Sequence, residues 1–186
     1  MGNFLRGLTV LAVWASLATP ASAELIVNGG FETGDFTGWT VNDPDIFVSP
    51  DNPHTGKYAA VLGPNIELGS LKQSITTVPG EVYNFSFWLL SPGIPPNAFQ
   101  ALWNGNVIFD RENITIQPYT QYSFQVTATG TTTTVEFRAS NGEVFLLLDD
   151  VSVTRQAIPE PATLGVLGLG GIVLACVLGR RRVLAA

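Results

Sequence analysis

The 186-residue chain holds one cysteine, one histidine and nine cationic side chains. Each scarcity excludes something. The lone cysteine, Cys176, lies in an apolar run near the carboxyl end, so the rest of the chain can form no disulfide and offers no thiol nucleophile. The lone histidine, His54, stands in "PDNPHTGK", a turn-rich stretch that reads as a solvated loop rather than the seat of a general base. Between residues 24 and 158 the cations are Lys57, Lys72, Arg111, Arg138 and Arg155, set against fourteen carboxylates, a balance of −9. Nucleic acid is thereby disfavoured as a partner, because phosphate binding needs a basic face. No internal repeat and no amphipathic helix of useful length appear.

Both ends carry addressing text. Arg6, an apolar run from Leu8 to Ala18 and the small-residue site Ala21-Ser22-Ala23 form the pattern of a secretory signal, residues 1–23, removed by signal peptidase to leave a chain starting near Glu24. Residues 162–179 are free of charge and, at about 1.5 Å per helical residue, just span a bilayer core. Arg180, Arg181 and Arg182 in the tail 180–186 set the cytoplasmic side, so everything before Pro159 is expected outside the cytoplasm. The glycines of this run, Gly165, Gly168, Gly170 and Gly171 among them, would weaken a buried helix in water by about 1 kcal/mol each.

Pro159-Glu160-Pro161, the apolar span and the arginine cluster together resemble the PEP-CTERM sorting signal of exopolysaccharide-producing Gram-negative bacteria. The resemblance implies that a membrane-embedded exosortase reads Pro159, Glu160 and Pro161. It implies a transient inner-membrane anchor, followed by release to the cell surface or extracellular matrix. A permanent one-pass anchor is the simpler alternative.

What lies between, residues 24–155, is the size of one domain, joined to the span by the linker 156–161. Short alternating segments recur between Gly, Pro, Asn and Asp clusters: "KYAAVLG", "SLKQSITTV", "EVYNFSFWLL", "FQALWNGNVIF", "TQYSFQVTA", "TTVEFRA" and "EVFLLLDDVSV". This pattern predicts an all-β sandwich. Successive side chains on a strand face opposite ways, so Tyr83, Phe85, Phe87 and Leu89, then Tyr122, Phe124 and Val126, then Val135, Phe137 and Ala139, are predicted core. The opposite faces carry Asn84, Ser86 and Trp88, and Ser123, Gln125 and Thr127. Trp88 stands alone among polar neighbours.

In the last segment Phe145, Leu147, Asp149, Val151 and Val153 share one parity, which puts Asp149 on an otherwise apolar face. A buried carboxylate is costly alone. Asp149 therefore needs a cation, strong hydrogen-bond donors or water at a strand end. An acidic exported domain without disulfides suits calcium, which prefers hard oxygen ligands.

"LIVNGGFETGDFTGWT" (25–40), "TGKYAAVL" (55–62), "VPGEVYNFSFWL" (78–89) and "LLLDDVSV" (146–153), in that order, resemble carbohydrate-binding modules with a galactose-binding-like jelly roll. The resemblance implies a jelly-roll β-sandwich with a structural calcium ion joining first and last strands. Its ligands would be the carboxylates of Glu32 and Asp149 and backbone carbonyls near Thr33 and Lys57. Ordinary end-of-strand acids are the alternative for Glu32 and Asp149. The glycines around Trp39 read as turn formers, and Trp39 itself as a core plug.

Catalysis is poorly supported: Asp149 and Asp150 diverge on a strand and cannot flank a glycosidic bond, while Asp110 and Glu112 read as surface charges. An enzyme would require His54 beside a carboxylate and a hydroxyl in a cleft. Binding of a polysaccharide, bacterial exopolysaccharide included, fits better, with Trp88 as the sugar-stacking plane and Asn84, Ser86 and Gln125 as hydrogen-bonding groups if their strands are neighbours; the alternative for Trp88 is a cap beneath a loop or under the opposite sheet edge. Trp103, at the hairpin turn "WNGN", is a second aromatic candidate, with burial in the core as the favoured alternative. The alternative is a structural or adhesive matrix protein that binds another protein, marked by a contiguous exposed apolar patch.

Overall fold

A computed structural model describes residues 22–63, 68–142 and 144–156. The signal segment with its cleavage site at Ala21 to Ala23 lies outside this range as far as residue 21, as do the sorting motif Pro159, Glu160 and Pro161, the apolar run 162–179 and Arg180, Arg181 and Arg182. Among the described residues no helix is long and apolar enough to cross a membrane.

The described residues form ten strands: β1 (Thr40–Val41), β2 (Ile46–Ser49), β3 (Ala59–Leu62), β4 (Gly69–Thr76), β5 (Val82–Ser91), β6 (Asn97–Trp103), β7 (Asn106–Glu112), β8 (Gln117–Thr127), β9 (Thr132–Asn141) and β10 (Leu146–Arg155). They make two five-stranded sheets, β1-β4-β9-β6-β7 and β2-β3-β10-β5-β8, with antiparallel pairing throughout. Strands β3 to β10 coincide with the segments whose alternation is legible. The short β1 and β2 have too few residues to show a period.

The core follows the predicted parity. Phe85, Phe87, Leu89, Val135, Phe137 and Ala139 are buried, and Tyr83 spends its hydroxyl on the Val78 N–H at 2.9 Å. Phe87 lies within 6.1 Å of the rings of Phe99, Phe109, Tyr122, Phe124 and Phe137, which ties both sheets together. Trp39 is buried, its indole N–H donating to the Asn28 carbonyl at 3.1 Å. The β6–β7 hairpin turns on Asn104 and Gly105, both at positive φ (50° and 80°), the backbone shape that an Asn-Gly pair adopts most readily.

In β10 the simple parity fails. Register against β5 shifts between Asp149 and Ser152, with Asp150 at φ 45°. The extra residue reverses the faces: Leu146 and Leu148 enter the core before this bulge and Val151 and Val153 after it, while Phe145 is 43% exposed. Asp149 is fully buried, but on the outer side of its sheet, opposite Trp88. The carboxylate's burial therefore comes from a loop that folds over it, not from the core.

The domain's two ends meet. The Glu24 carboxylate accepts the Leu25, Ile26 and Val153 N–H groups at 3.0, 2.9 and 2.8 Å, and the Ser152 hydroxyl. The Ser22 hydroxyl donates to the Arg155 carbonyl.

Candidate functional site

Cross-strand register assembles the outer face of the second sheet. Thr154, Asn84 and Gln125 form one row across β10, β5 and β8; Ser152, Ser86 and Ser123 form the next; Asp149, Trp88 and Gln121 the third. Directly paired residues point to the same side, so the first two rows present hydroxyls and amides on the outer face, the Ser152 hydroxyl being held by the Glu24 carboxylate. Asn84, Gln125, Ser123 and Gln121 are exposed, and Ser86 and Trp88 half-buried. Asn84, Ser86, Trp88 and Gln125 are thus brought to one surface.

Trp103 is not among them. It is 4% exposed, tilted against Tyr83 and Phe85 at 5.9 and 6.1 Å, and its indole N–H donates to the Thr127 carbonyl at 2.9 Å. The expectation that it meets a ligand is corrected: it is a core residue. The "WNGN" turn places the residues after Trp103, not Trp103 itself, at the surface.

The third row ends in an aromatic corner. The loop before β3 carries His54 onto Trp88, ring centroids 3.9 Å apart and planes 21° from parallel. His54 Nδ1 pairs with Asp150 Oδ2 at 2.6 Å, and Tyr119 stands 5.1 Å away, its hydroxyl donating to the Asn52 carbonyl at 2.9 Å. The Thr55 hydroxyl donates to the other Asp150 oxygen at 2.7 Å. Here the solvated-loop reading of His54 gives way: attraction to Asp150 and stacking on indole fix the ring. The histidine does lie beside a carboxylate, but among the described residues no hydroxyl is hydrogen-bonded to its second ring nitrogen. Tyr119 shares the outward parity of Gln121, Ser123 and Gln125, so an aromatic among polar neighbours was the signal that could have found it.

Asp149 lies beneath this loop. Its Oδ2 accepts the His54 N–H at 2.8 Å and the Thr55 N–H at 3.3 Å, and its Oδ1 accepts the Asp150 N–H at 2.7 Å. Burial outweighs those donors and pushes its pKa up to about 6. Burial, with the neighbouring Asp149 and Asp150 charges, also raises the Tyr119 phenol well above its ordinary value.

Glu32 belongs to the same neighbourhood. Its carboxylate accepts the Lys57 N–H at 2.9 and 3.0 Å and the Tyr58 N–H at 3.1 Å, and it fills the space where a β-carbon on Gly56 (φ 64°) would have to go. A β-carbon on Gly30 would lie 3.4 Å from Asp150 Oδ1, 3.7 Å from Glu32 Cγ and 3.8 Å from Asp149 Oδ1. The Asp149 and Asp150 carboxylates thus lie at Gly30, whereas Glu32 reaches it only with its Cγ and turns its carboxylate to the Lys57 and Tyr58 N–H groups. This donor set has the chemistry of a hard cation's ligands. Among the described residues no three His, Cys, Asp or Glu side chains form a metal-holding group.

The outer face of the first sheet is charged rather than aromatic. Ser70, Arg138, Gln100 and Asp110 form a transverse row over β4, β9, β6 and β7. Arg138 is bidentate to Glu136 at 2.9 and 3.2 Å, and Gln100 donates to Asp110 at 3.2 Å.

Comparison with known proteins agrees with this architecture. The structure of TmCBM61 in complex with β-1,4-galactotriose is 22% identical and superposes with a TM-score of 0.55, over 73% of this chain and 100% of that one. The CBM22-1 xylan-binding domain from Paenibacillus barcinonensis Xyn10C is 19% identical, TM-score 0.54, over 74% and 97%. The C-terminal family 22 carbohydrate binding module of Clostridium thermocellum Xyn10B is 14% identical, TM-score 0.56, over 76% and 98%. These likenesses establish the fold, a jelly roll of the carbohydrate-binding-module type. No curated protein matches the chain. Residues 157–182 match the PEP-CTERM protein-sorting motif, which marks export and sorting to the cell surface. Residues 23–143, most of the chain, match the model of the carbohydrate binding domain, and the protein belongs to that family.

Proposed function

We propose that this protein is a secreted, surface-sorted carbohydrate-binding protein that uses the outer face of the second sheet to hold polysaccharide, the exopolysaccharide of a Gram-negative producer. The observation that carries the reading is the aromatic corner of His54, Trp88 and Tyr119 set at the end of two neutral rows, Thr154-Asn84-Gln125 and Ser152-Ser86-Ser123. A pyranose ring has an apolar face and a belt of hydroxyls; stacked rings suit the first and amides with hydroxyls the second. The modules it resembles are non-catalytic, and the site supplies binding groups rather than an acid and base pair.

In this reading signal peptidase removes residues 1–23, and the run 162–179 anchors the chain in the inner membrane with Arg180 to Arg182 inside. Exosortase then cuts near Pro159-Glu160-Pro161. A calcium ion held by Glu32 and Asp149 with carbonyls near Thr33 and Lys57 would supply charge neutralisation and a clip between the first loop and β10, a reading supported by the Asp149 and Asp150 carboxylates beside Gly30 and by the Glu32 side chain that borders it.

The test is retention of the purified domain on a panel of neutral and bacterial polysaccharides, in calcium and in chelator, with Trp88→Ala and Arg138→Ala beside the wild type. Loss in Trp88→Ala alone supports this face. Loss in Arg138→Ala alone moves the site to the charged row of the first sheet. Absence of retention on every glycan favours the second reading, an adhesive matrix protein with a protein partner. That reading rests on Phe47 and Phe145, 41% and 43% exposed and packed edge to face at 5.8 Å.

A further inference from the structure

A sheet edge presents unpaired N–H and C=O groups, and folded proteins protect such edges by shortness, charge, proline or a bulge. The sandwich has four edges: β1 and β7 in one sheet, β2 and β8 in the other. β1 has two residues and β2 four. β7 carries Asp110, Arg111 and Glu112, with the Arg111 guanidinium over the Phe109 ring at 5.5 Å. Those three edges are guarded.

β8 is different. It runs eleven residues, "QPYTQYSFQVT", without a charge, and the uncharged stretch continues from Asn113 to Val135. Pro118 and a register shift opposite Leu89 to Ser91 disturb only its first residues. From Thr120 to Thr127 it pairs with β5 in unbroken register on one side, and among the described residues nothing pairs with it on the other. Its inward side chains Tyr122 and Phe124 are only half-buried, at the open flank of the sandwich where Phe109 meets them at 4.5 and 5.9 Å.

We propose that β8 is a dimerisation edge, pairing antiparallel with β8 of a second copy of this chain. A strand paired with itself about a two-fold axis sets its apolar row against the same apolar row and its Gln/Ser row against the same polar row, so the match requires only that the strand carry no net charge. β8 meets that condition along all eleven residues. The product is a continuous ten-stranded sheet that covers Tyr122 and Phe124. It also puts the outer faces of the two second sheets on one side, so one polysaccharide chain can engage both copies. Only that last consequence rests on the glycan reading.

The domain spanning residues 24–156 is suited to the test, because its core closes within the described residues and the TmCBM61 chain, covered along 100% of its length, is this sandwich alone. Sedimentation velocity over a concentration series should show a concentration-dependent dimer. Gln121→Lys with Ser123→Lys puts like charges across the two-fold axis and should raise the dissociation constant by at least about tenfold. Thr134→Lys, the same charge on the other sheet, should leave it unchanged. Should the double variant fail to fold by circular dichroism, Ser123→Glu tests the same strand. A monomer at every concentration up to about 1 mM overturns the proposal, as does a dimer that survives charge on β8. A dimer formed only with another protein's strand would also overturn it. Because sedimentation reads mass, a domain that binds no glycan can still dimerise through β8, and the two failures are told apart.

Discussion

His54 covers Trp88: the imidazole lies 3.9 Å from the indole, and Asp150 holds it there through Nδ1 at 2.6 Å. One consequence is that the ring surface offered to a ligand is shared. The indole forms a floor, and the outward aromatic surface belongs to His54 and Tyr119. A second is that the loop bearing His54 is tied to β10 by backbone N–H groups on Asp149, so the aromatic corner and the buried carboxylate stand or fall together.

Trp88→Ala should therefore cost glycan affinity at least about tenfold, about 1.4 kcal/mol, while the far-ultraviolet spectrum of the sandwich is retained. His54→Ala should weaken binding as well, because it removes the stacked ring. Affinity electrophoresis in soluble polysaccharide measures both. Tighter binding by His54→Ala would show instead that His54 merely obstructs the indole.

Calcium should raise the melting temperature. At a hundred times the dissociation constant a bound ion adds about 2.7 kcal/mol, which for a domain of this size is a shift of several degrees. Glu32→Gln should abolish the shift without unfolding the protein. Identical melting in excess calcium and in chelator would show that backbone N–H groups alone satisfy Glu32 and Asp149.

Much of this architecture is legible in the chain because alternation over eight or more residues is a strong signal: β4, β5, β8 and β9 read directly from their side chains. The face of Asp149 is not legible in the same way. A one-residue bulge at Asp150 separates two parities, so the assignments of Phe145, Leu147 and Asp149 are inverted while those of Val151 and Val153 stand, and parity carries no mark of a bulge. His54 is a further case. Nothing in "PDNPHTGK" says which surface the loop covers, since the carboxylates that hold it are about 95 positions away. Trp103 shows the opposite error, where proximity to a turn suggests exposure and the side chain points inward.

Trp103→Ala should behave as a core truncation. With its indole against Tyr83 and Phe85 and its N–H on Thr127, the change should destabilise the domain by about 3–5 kcal/mol. Chemical denaturation measures this. A loss of glycan binding at unchanged stability would contradict its place in the core.

Asp149 should leave a signature in pH. Its folded pKa, about 6, stands above its ordinary value of 3.8, so the fold favours the protonated acid. The stability this contributes is complete below about pH 4 and is lost as pH rises through about 6. Asp149→Asn cannot titrate, and comparison with it isolates the group from the other carboxylates. In chelator, the stability of the wild type relative to Asp149→Asn should fall by roughly 2–3 kcal/mol between pH 4 and pH 7, read from urea denaturation at each pH. Calcium should reverse the effect, because a cation beside the carboxylate favours its ionised form and removes the cost of burying it charged. A difference that stays flat in chelator would mean that the three N–H groups on Asp149 already offset its burial, leaving the carboxylate ionised without help from an ion.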